Sequence, residues 1–244
     1  MMKFLVIKHL IVEGLGIFEQ FCHEAGIAID TVELEKGDSF PDLTGYSALW
    51  VMGGSMNAED EADYPWLIEE KALIRQAIEL NLPYVGICLG AQLLADALGG
   101  EVGFMQAPEV GVFPVTLTEA GRLHPLMQGL PDTLEVLEWH GQEVKRLPLG
   151  ATRLAASVRC PVQAYAVGEY AFGLQFHNEV SGAAVKRWAE IPEYCADLEK
   201  ALGPTGCADL TNAVEAKLST MNDEARIMFN NFLKLVKQRW QQVD

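Results

Sequence analysis

Pro83-Tyr84-Val85-Gly86-Ile87-Cys88-Leu89-Gly90-Ala91-Gln92 is an apolar run that closes in a Gly-x-Cys-x-Gly turn. It passes straight into a helix-patterned segment, Leu89 to Leu98. The pattern predicts strand, sharp turn and helix with a thiol at the apex, the cysteine counterpart of the Gly-x-Ser-x-Gly nucleophile elbow. Gly86 and Gly90 let such a turn close and let other backbone approach the sulfur. A helix N-terminus favours negative charge beside it, which suits a cysteine nucleophile.

The segments before the elbow repeat its strand–helix logic. Phe4 to Ile7, Ile27 to Leu34 and Ser47 to Met52 read as buried strands, and Tyr84 to Ile87 is the strand of the elbow. Between them, Ile17 to Ala25 reads as a helix stopped by Gly26, and Pro65 opens a second helix reaching about Leu80. Continuous apolar strands alternating with helices predict an α/β fold with a mainly parallel central sheet covered on both faces. From Val110 the signal changes. Val110–Leu117, Leu134–Glu138, Leu154–Ser157, Val162–Ala166 and Ala171–Phe176 are short strand candidates punctuated by Gly and Pro, which predicts a smaller antiparallel portion. After Val180 the chain turns helical, with Gly203-Pro204-Thr205-Gly206 as a loop between helices. Phe229, Phe232, Leu233, Val236 and Trp240 share one helical face and read as core packing. The expected division is a catalytic unit over residues 1–180 and a C-terminal helical extension over 181–244, packed on it.

Composition narrows the function. The chain has 244 residues, half of them hydrophobic, and a formal net charge of −16. Such acidity reads first as a matter of solubility. It also makes the chain a poor partner for a phosphate backbone, so no nucleic acid is expected. The five cysteines (Cys22, Cys88, Cys160, Cys195, Cys207) form no CxxC pair. They suggest neither a zinc site nor a disulfide framework. The N-terminal apolar run is too short for a signal peptide and no later stretch could span a membrane, so a reducing cytoplasm is the expected setting.

A cysteine nucleophile needs a base, and the base needs an orienting group. Of the five histidines (His9, His23, His124, His140, His177), His177 follows a strand candidate and has Glu179 two residues on. In extended chain, residues i and i+2 face the same way, so Glu179 can reach the imidazole and fix its tautomer. Acyl transfer also needs donors where the oxyanion develops. The Leu89 amide at the elbow is one candidate, and the glycine pair Gly53-Gly54 after the neighbouring strand offers a second. Gln92 lies one helical turn past Cys88 and could bind a polar substrate. His140 is the rival base, with no carboxylate at i+2.

At these residues the chain resembles the class I (triad) glutamine amidotransferases, of the type similar to the amidotransferase domain of GMP synthase. Val51-Met52-Gly53-Gly54, Tyr64-Pro65-Trp66-Leu67, the elbow with Ala97-Leu98-Gly99-Gly100 after it, Trp139-His140-Gly141 and Gly173-Leu174-Gln175-Phe176-His177 carry the likeness, in the family's order. The resemblance implies a flavodoxin-like sheet and a Cys88, His177, Glu179 triad. It also implies an oxyanion hole from the Gly54 and Leu89 amides, and a substrate head group held by Gln92 and Trp139 to Gln142, including Gly141. The implied reaction hydrolyses the γ-amide of glutamine through a thioester on Cys88, without cofactor or metal. Three positions depart from the pattern: Asn178 stands in the usual His-Pro-Glu, Gln142 where relatives often have Asp, and Ser55 where proline commonly follows the glycines. Glu138 or Glu143 would then have to replace the missing carboxylate. There is no GxxxxGK[ST] phosphate loop, so an ammonia-accepting synthetase would be a separate partner. Two alternatives stay open: hydrolysis of a γ-glutamyl peptide or amine by the same triad, and a non-catalytic binding or regulatory protein on this scaffold.

Overall fold

Four apolar runs become parallel strands because helices cover both of their faces. They are β1 (Lys3–Lys8), β2 (Ala28–Glu33), β3 (Ala48–Val51) and β4 (Tyr84–Ile87), laid side by side in the order β2-β1-β3-β4. The computed structural model describes residues 1–181 and 192–241. Successive side chains of each strand point to opposite faces. Phe4, Val6, Trp50, Val85 and Ile87 pack on one face, against Phe18 and Phe21 of α1 (Ile17–Glu24). Leu5, Ile7, Leu49, Val51 and Tyr84 pack on the other. There they meet Leu67 and Ile74 of α2 (Trp66–Glu79) and Leu93 and Leu94 of α3 (Leu89–Ala97).

The antiparallel portion continues the same nine-stranded sheet. The last strand in sequence, β9 (Ala171–Leu174), lies parallel beside β4, pairing Ile87 with Leu174. Beyond it run β8 (Ala164–Val167), β7 (Thr152–Ala156), β5 (Glu101–Leu117) and β6 (Thr133–Arg146), all antiparallel. β5 and β6 extend well beyond the expected 110–117 and 134–138. Their extra lengths mix apolar and polar residues, largely exposed or part-exposed in β5, with a register break between Phe104 and Glu109, so no continuous apolar run marks them. The short helix α4 (Glu119–Leu123) also lacks an apolar stripe; Thr118 caps it, its Oγ1 accepting from the Gly121 N–H at 2.9 Å.

Two helices, α5 (Pro192–Leu202) and α6 (Gly206–Gln241), follow; the helical onset expected just after Val180 falls on residues 182–191, outside the described residues. Contrary to the expectation from cysteine spacing, Cys195 and Cys207 form a disulfide between α5 and α6, with Cα atoms 5.2 Å apart. The short link between these helices folds them back on each other and brings the two thiols together, which spacing along the chain does not reveal. The stripe on α6 packs as expected for Phe229, Phe232, Leu233 and Val236, all buried. Trp240 departs from it: the residue is 38% exposed, because the helix runs past the edge of the core by its last turns.

Phe232 lies edge-on to Phe4, Trp50 and Phe172 at centroid distances of 6.1, 5.4 and 6.2 Å, so one side chain of α6 ties three strands. Phe232→Ala should destabilise the protein by about 3–5 kcal/mol. Trp240→Ala should cost about 1 kcal/mol or less. Urea unfolding of both variants checks this; similar losses would show that α6 is not anchored through Phe232.

Candidate active site

The elbow is built by crowding as well as by sequence. Cys88 caps α3 with φ 50° and ψ −106°, a conformation that side-chain-bearing residues rarely adopt. Such strain costs about 1–3 kcal/mol and persists only where the surroundings impose it. Here they do: a Cβ on Gly86 would lie 2.3 Å from the Gly90 carbonyl oxygen, and one on Gly90 2.1 Å from that of Val51.

The β4–β9 register carries His177 to the elbow. The Cys88 N–H donates to Leu174 O at 2.8 Å, and three residues on, the His177 N–H donates to Leu137 O of β6 at 2.8 Å. The His177 imidazole is hydrogen-bonded to Cys88 on one side, and its Nδ1 lies 2.6 Å from Glu179 Oε1 on the other. All three residues are buried. Burial alone would lower the pKa of His177, but the Glu179 carboxylate and the hydrogen bonds to Cys88 and Glu179 outweigh it and hold it well above the usual range. The Glu179 carbonyl accepts from the Ile17 N–H at 2.8 Å, so the start of α1 fixes the end of this segment. Asn178 faces the other way, its Nδ2 3.1 Å from Met228 Sδ on α6.

A cavity of about 260 Å³ opens over these groups, at the C-terminal ends of the parallel strands. That is where open α/β sheets bind ligands. A hollow of about 340 Å³ between Ser47, Pro83 and Arg239 lies at the opposite ends and holds none of this chemistry. Of the residues expected at the site, Cys88, Gly54, Gln92, Trp139, Gly141, Gln142 and His177 all line the cavity, and Glu179 stands behind His177. Gly54 sits against Leu89: a Cβ there would come within 3.0 Å of Leu89 Cδ2. Gln92 is buried and bonded on its amide nitrogen, at 3.1 Å each to Gln142 O and Gln175 Oε1, so it braces the cavity wall. The Gln142 side chain turns to the acidic stretch Glu59–Asp63, donating to Glu59 Oε1 at 2.8 Å. Neither Glu138 nor Glu143 lines the cavity. Glu138 is held beside His140 and Glu143 accepts from Lys145, and the cavity's carboxylate is instead Glu13.

His140 lines the cavity with both ring nitrogens engaged. Nδ1 donates to Gln142 O at 2.8 Å, while Nε2 lies 3.2 Å from Glu109 Oε2 and 3.1 Å from Glu138 Oε2. Burial would depress its pKa, but these carboxylates raise it to about 10. Its two nitrogens thus face Gln142 O and the two carboxylates, and His177 is the imidazole on the sulfur. Among the described residues, Glu109, His140 and Cys160 could hold a metal ion, with ligand-type atoms within 4.8 Å of one another. Burial holds the thiols of Cys22 and Cys160 high, leaving Cys88 as the free cysteine that faces the cavity.

Sequence reading missed four residues here. Gln175 Nε2 reaches Cys88 Sγ at 3.7 Å; it stands inside the Gly-Leu-Gln-Phe-His motif, two residues before His177, and that spacing was its signal. Glu13 stands in a loop without a pattern. His9 and Glu70 meet behind Gly53 across 61 residues, which no local spacing encodes.

Comparison with known proteins gives the family. Residues 17–187 match the family model for class-I glutamine amidotransferases, and the chain belongs to that family. It is 33% identical over 184 residues to the glutamine amidotransferase-like protein YfeJ of Salmonella typhimurium, covering 74% of this chain and 77% of that one. It is 31% identical over 174 residues to a glutamine-hydrolyzing GMP synthase subunit of Sulfolobus acidocaldarius, covering 71% and 84%. A glutamine amidotransferase from Thermotoga maritima superposes with a TM-score of 0.86 at 32% identity, covering 96% and 98% of the two chains. One from Methylobacillus flagellatus superposes equally, 0.86 at 30% identity over 96% and 94%. Among the described residues no helix is long and apolar enough to cross a membrane.

The His140 network gives a pH signature. Its folded pKa of about 10 exceeds its ordinary 6.5, so the stabilisation is complete below pH 6.5 and is lost as pH rises towards 10. Glu138→Gln removes one carboxylate that raises this pKa, so the loss, which begins near pH 6.5 in both proteins, should end at lower pH and be smaller in the variant. Urea midpoints measured from pH 6 to about pH 10 check this; superimposable profiles would remove Glu138 from the network.

Proposed function

We propose that the protein hydrolyses the γ-amide of glutamine to glutamate and ammonia through a γ-glutamyl thioester on Cys88. The observation that carries this reading is the hydrogen-bonded run Cys88, His177, Glu179, whose first two members line the cavity and whose third stands behind His177. Cys88 Sγ attacks the amide carbon, and its proton passes to His177. The carbonyl oxygen becomes an oxyanion facing the Gly54 and Leu89 amides, where fixed donors are worth most. His177 gives the proton to the departing nitrogen, the C–N bond breaks and ammonia leaves. Water then attacks the thioester, loses a proton to His177 and releases glutamate and the thiol. Glu179 orients the imidazole and stabilises its cationic form. Gln92, Trp139, Gly141 and Gln142 shape the pocket for the amino acid head group. Residues 1–180 are the catalytic unit in this reading and residues 181–244, with α5 and α6, its extension. The GMP synthase relatives support a separate synthetase as ammonia acceptor.

A second reading is hydrolysis of a γ-glutamyl amine or peptide by the same triad. The Gln142–Glu59 contact and the Glu13 carboxylate in the wall favour it, because both change the polar frame that a head group or leaving group meets.

Acid-quenched turnover followed by mass spectrometry tests both. Glutamine should leave a γ-glutamyl adduct on Cys88. Glutamine untouched while a γ-glutamyl dipeptide is consumed would replace the first reading with the second. Cys88→Ala should abolish turnover and keep its circular dichroism spectrum. His177→Ala should lose about 10²- to 10⁴-fold in kcat, the usual contribution of a general base. Glu179→Gln should lose less, and wild-type activity in it would remove Glu179 from the mechanism.

A further inference from the structure

We infer that His9 and Glu70 are positioning residues that hold the Gly53–Gly54 peptide in the orientation an oxyanion donor requires; this rests on the amide role proposed above. Gly53 C=O and Gly54 N–H are the two ends of one planar trans peptide and point in opposite directions. His9 Nδ1 lies 2.8 Å from Gly53 O. A carbonyl oxygen only accepts, so Nδ1 carries a proton and donates it. Holding the oxygen to His9 turns the Gly54 N–H the other way, and Gly54 lines the cavity.

The clamp answers a specific weakness. A peptide between two glycines turns over at little steric cost, and in the reversed state a carbonyl oxygen would replace the donor. A side chain would be crowded at both glycines nonetheless. A Cβ on Gly54 would come within 2.9 Å of His9 Cβ, and one on Gly53 within 3.2 Å of His177 Cε1. Ser55 adds no ring constraint after them. Rigidity therefore has to come from a side chain.

His9 is itself fixed from behind. Its Nε2 faces Glu70 Oε1 and Oε2 at 3.1 and 3.2 Å, with both side chains 0% exposed. Its ring stacks on Trp66 at 5.5 Å. Trp66 and Glu70 stand one turn apart on α2, so one helix supplies both the floor and the carboxylate. Neither His9 nor Glu70 lines the cavity, so they act through the peptide and not on substrate. Donation to Gly53 O also polarises the peptide and strengthens the N–H at its other end.

Two double variants test this. His9→Leu with Glu70→Leu removes the clamp without stranding a buried charge. His9→Asn with Glu70→Gln keeps a side-chain N–H near the place of Nδ1. Three readouts are taken on each: kcat and KM for glutamine, and the rate of Cys88 alkylation by iodoacetamide, which needs no oxyanion donor. The leucine pair should lose about ten- to a hundredfold in kcat, below the loss for deleting a donor outright. Its KM and alkylation rate should stay within about twofold, the mark of an interaction made only in the transition state. The Asn–Gln pair should recover most of the kcat. Unchanged kcat in the leucine pair, parallel loss of kcat and alkylation, or no recovery would each overturn the inference. Should the leucine pair not fold, Glu70→Gln alone is read the same way; it should lose about three- to tenfold in kcat, and wild-type kcat in it overturns the inference. Wild-type protein that forms no thioester with glutamine defeats the proposed function as well. Unchanged kcat in variants of an active enzyme defeats only the clamp.

Discussion

The parallel pairing of β4 with β9 is the contact on which the site depends. Their last members, Ile87 and Leu174, lie far apart in the chain, yet they are neighbours in the sheet. Because the two strands run the same way, both release their chains at the same edge. One segment enters the strained turn at Cys88, the other continues to His177. The Cys88 N–H bond to Leu174 O and the His177 N–H bond to Leu137 O then fix both backbones before any side chain meets. A one-residue slip of β9 would send His177 to the opposite face, since side chains alternate along extended chain. Both faces of β9 are buried, so such a slip would also bury the wrong side chains.

The charges around this edge are arranged in layers. His177 is raised by Glu179 against its own burial, and His140 is raised by Glu109 and Glu138 in the same way. His9 is raised by Glu70 against complete burial. Three imidazoles thus stand at this edge of the sheet, each backed by carboxylate, in surroundings where an unpaired ion would be very costly. Only His177 bonds the sulfur. The other two hold walls: His140 the Trp139–Gln142 segment, His9 the Gly53–Gly54 peptide. The acidity of the chain, read from composition as a matter of solubility, is in part this paired interior carboxylate.

What could be read in advance follows from how far apart the interacting residues lie. The parallel strands were legible because burial on both faces leaves an unbroken apolar run. The elbow was legible because its glycines are forced by backbone contacts within a few residues. His177 and Glu179 were legible as a pair because i+2 in extended chain is a local geometry. The long arms of β5 and β6 were not, since half-exposed hairpin strands carry no continuous apolar signal. Glu70 was hidden in an ordinary helix, where a carboxylate reads as a solvated face until α2 is seen packed over His9. The Cys195–Cys207 bridge was hidden for the same reason, as it depends on how two helices fold back. Sequence patterns encode periodicity and turns well, and they are silent about partners that meet only through tertiary packing.

Asn178 shows how α6 bears on the His177–Glu179 segment. It lies between His177 and Glu179, so extended geometry points it away from the sulfur. Its Nδ2 meets Met228 Sδ, and Met228 belongs to the same buried set as Phe229 and Phe232. A proline at this place would restrict the backbone from within and would offer no side-chain donor. Asparagine leaves the backbone freer and spends its amide on α6. The restraint on the His177–Glu179 segment is thereby shared between Leu137 O on one side, the start of α1 on the other, and the helix packed beneath. α6 is in this sense part of the scaffold around the imidazole, although among the described residues it contributes none to the cavity.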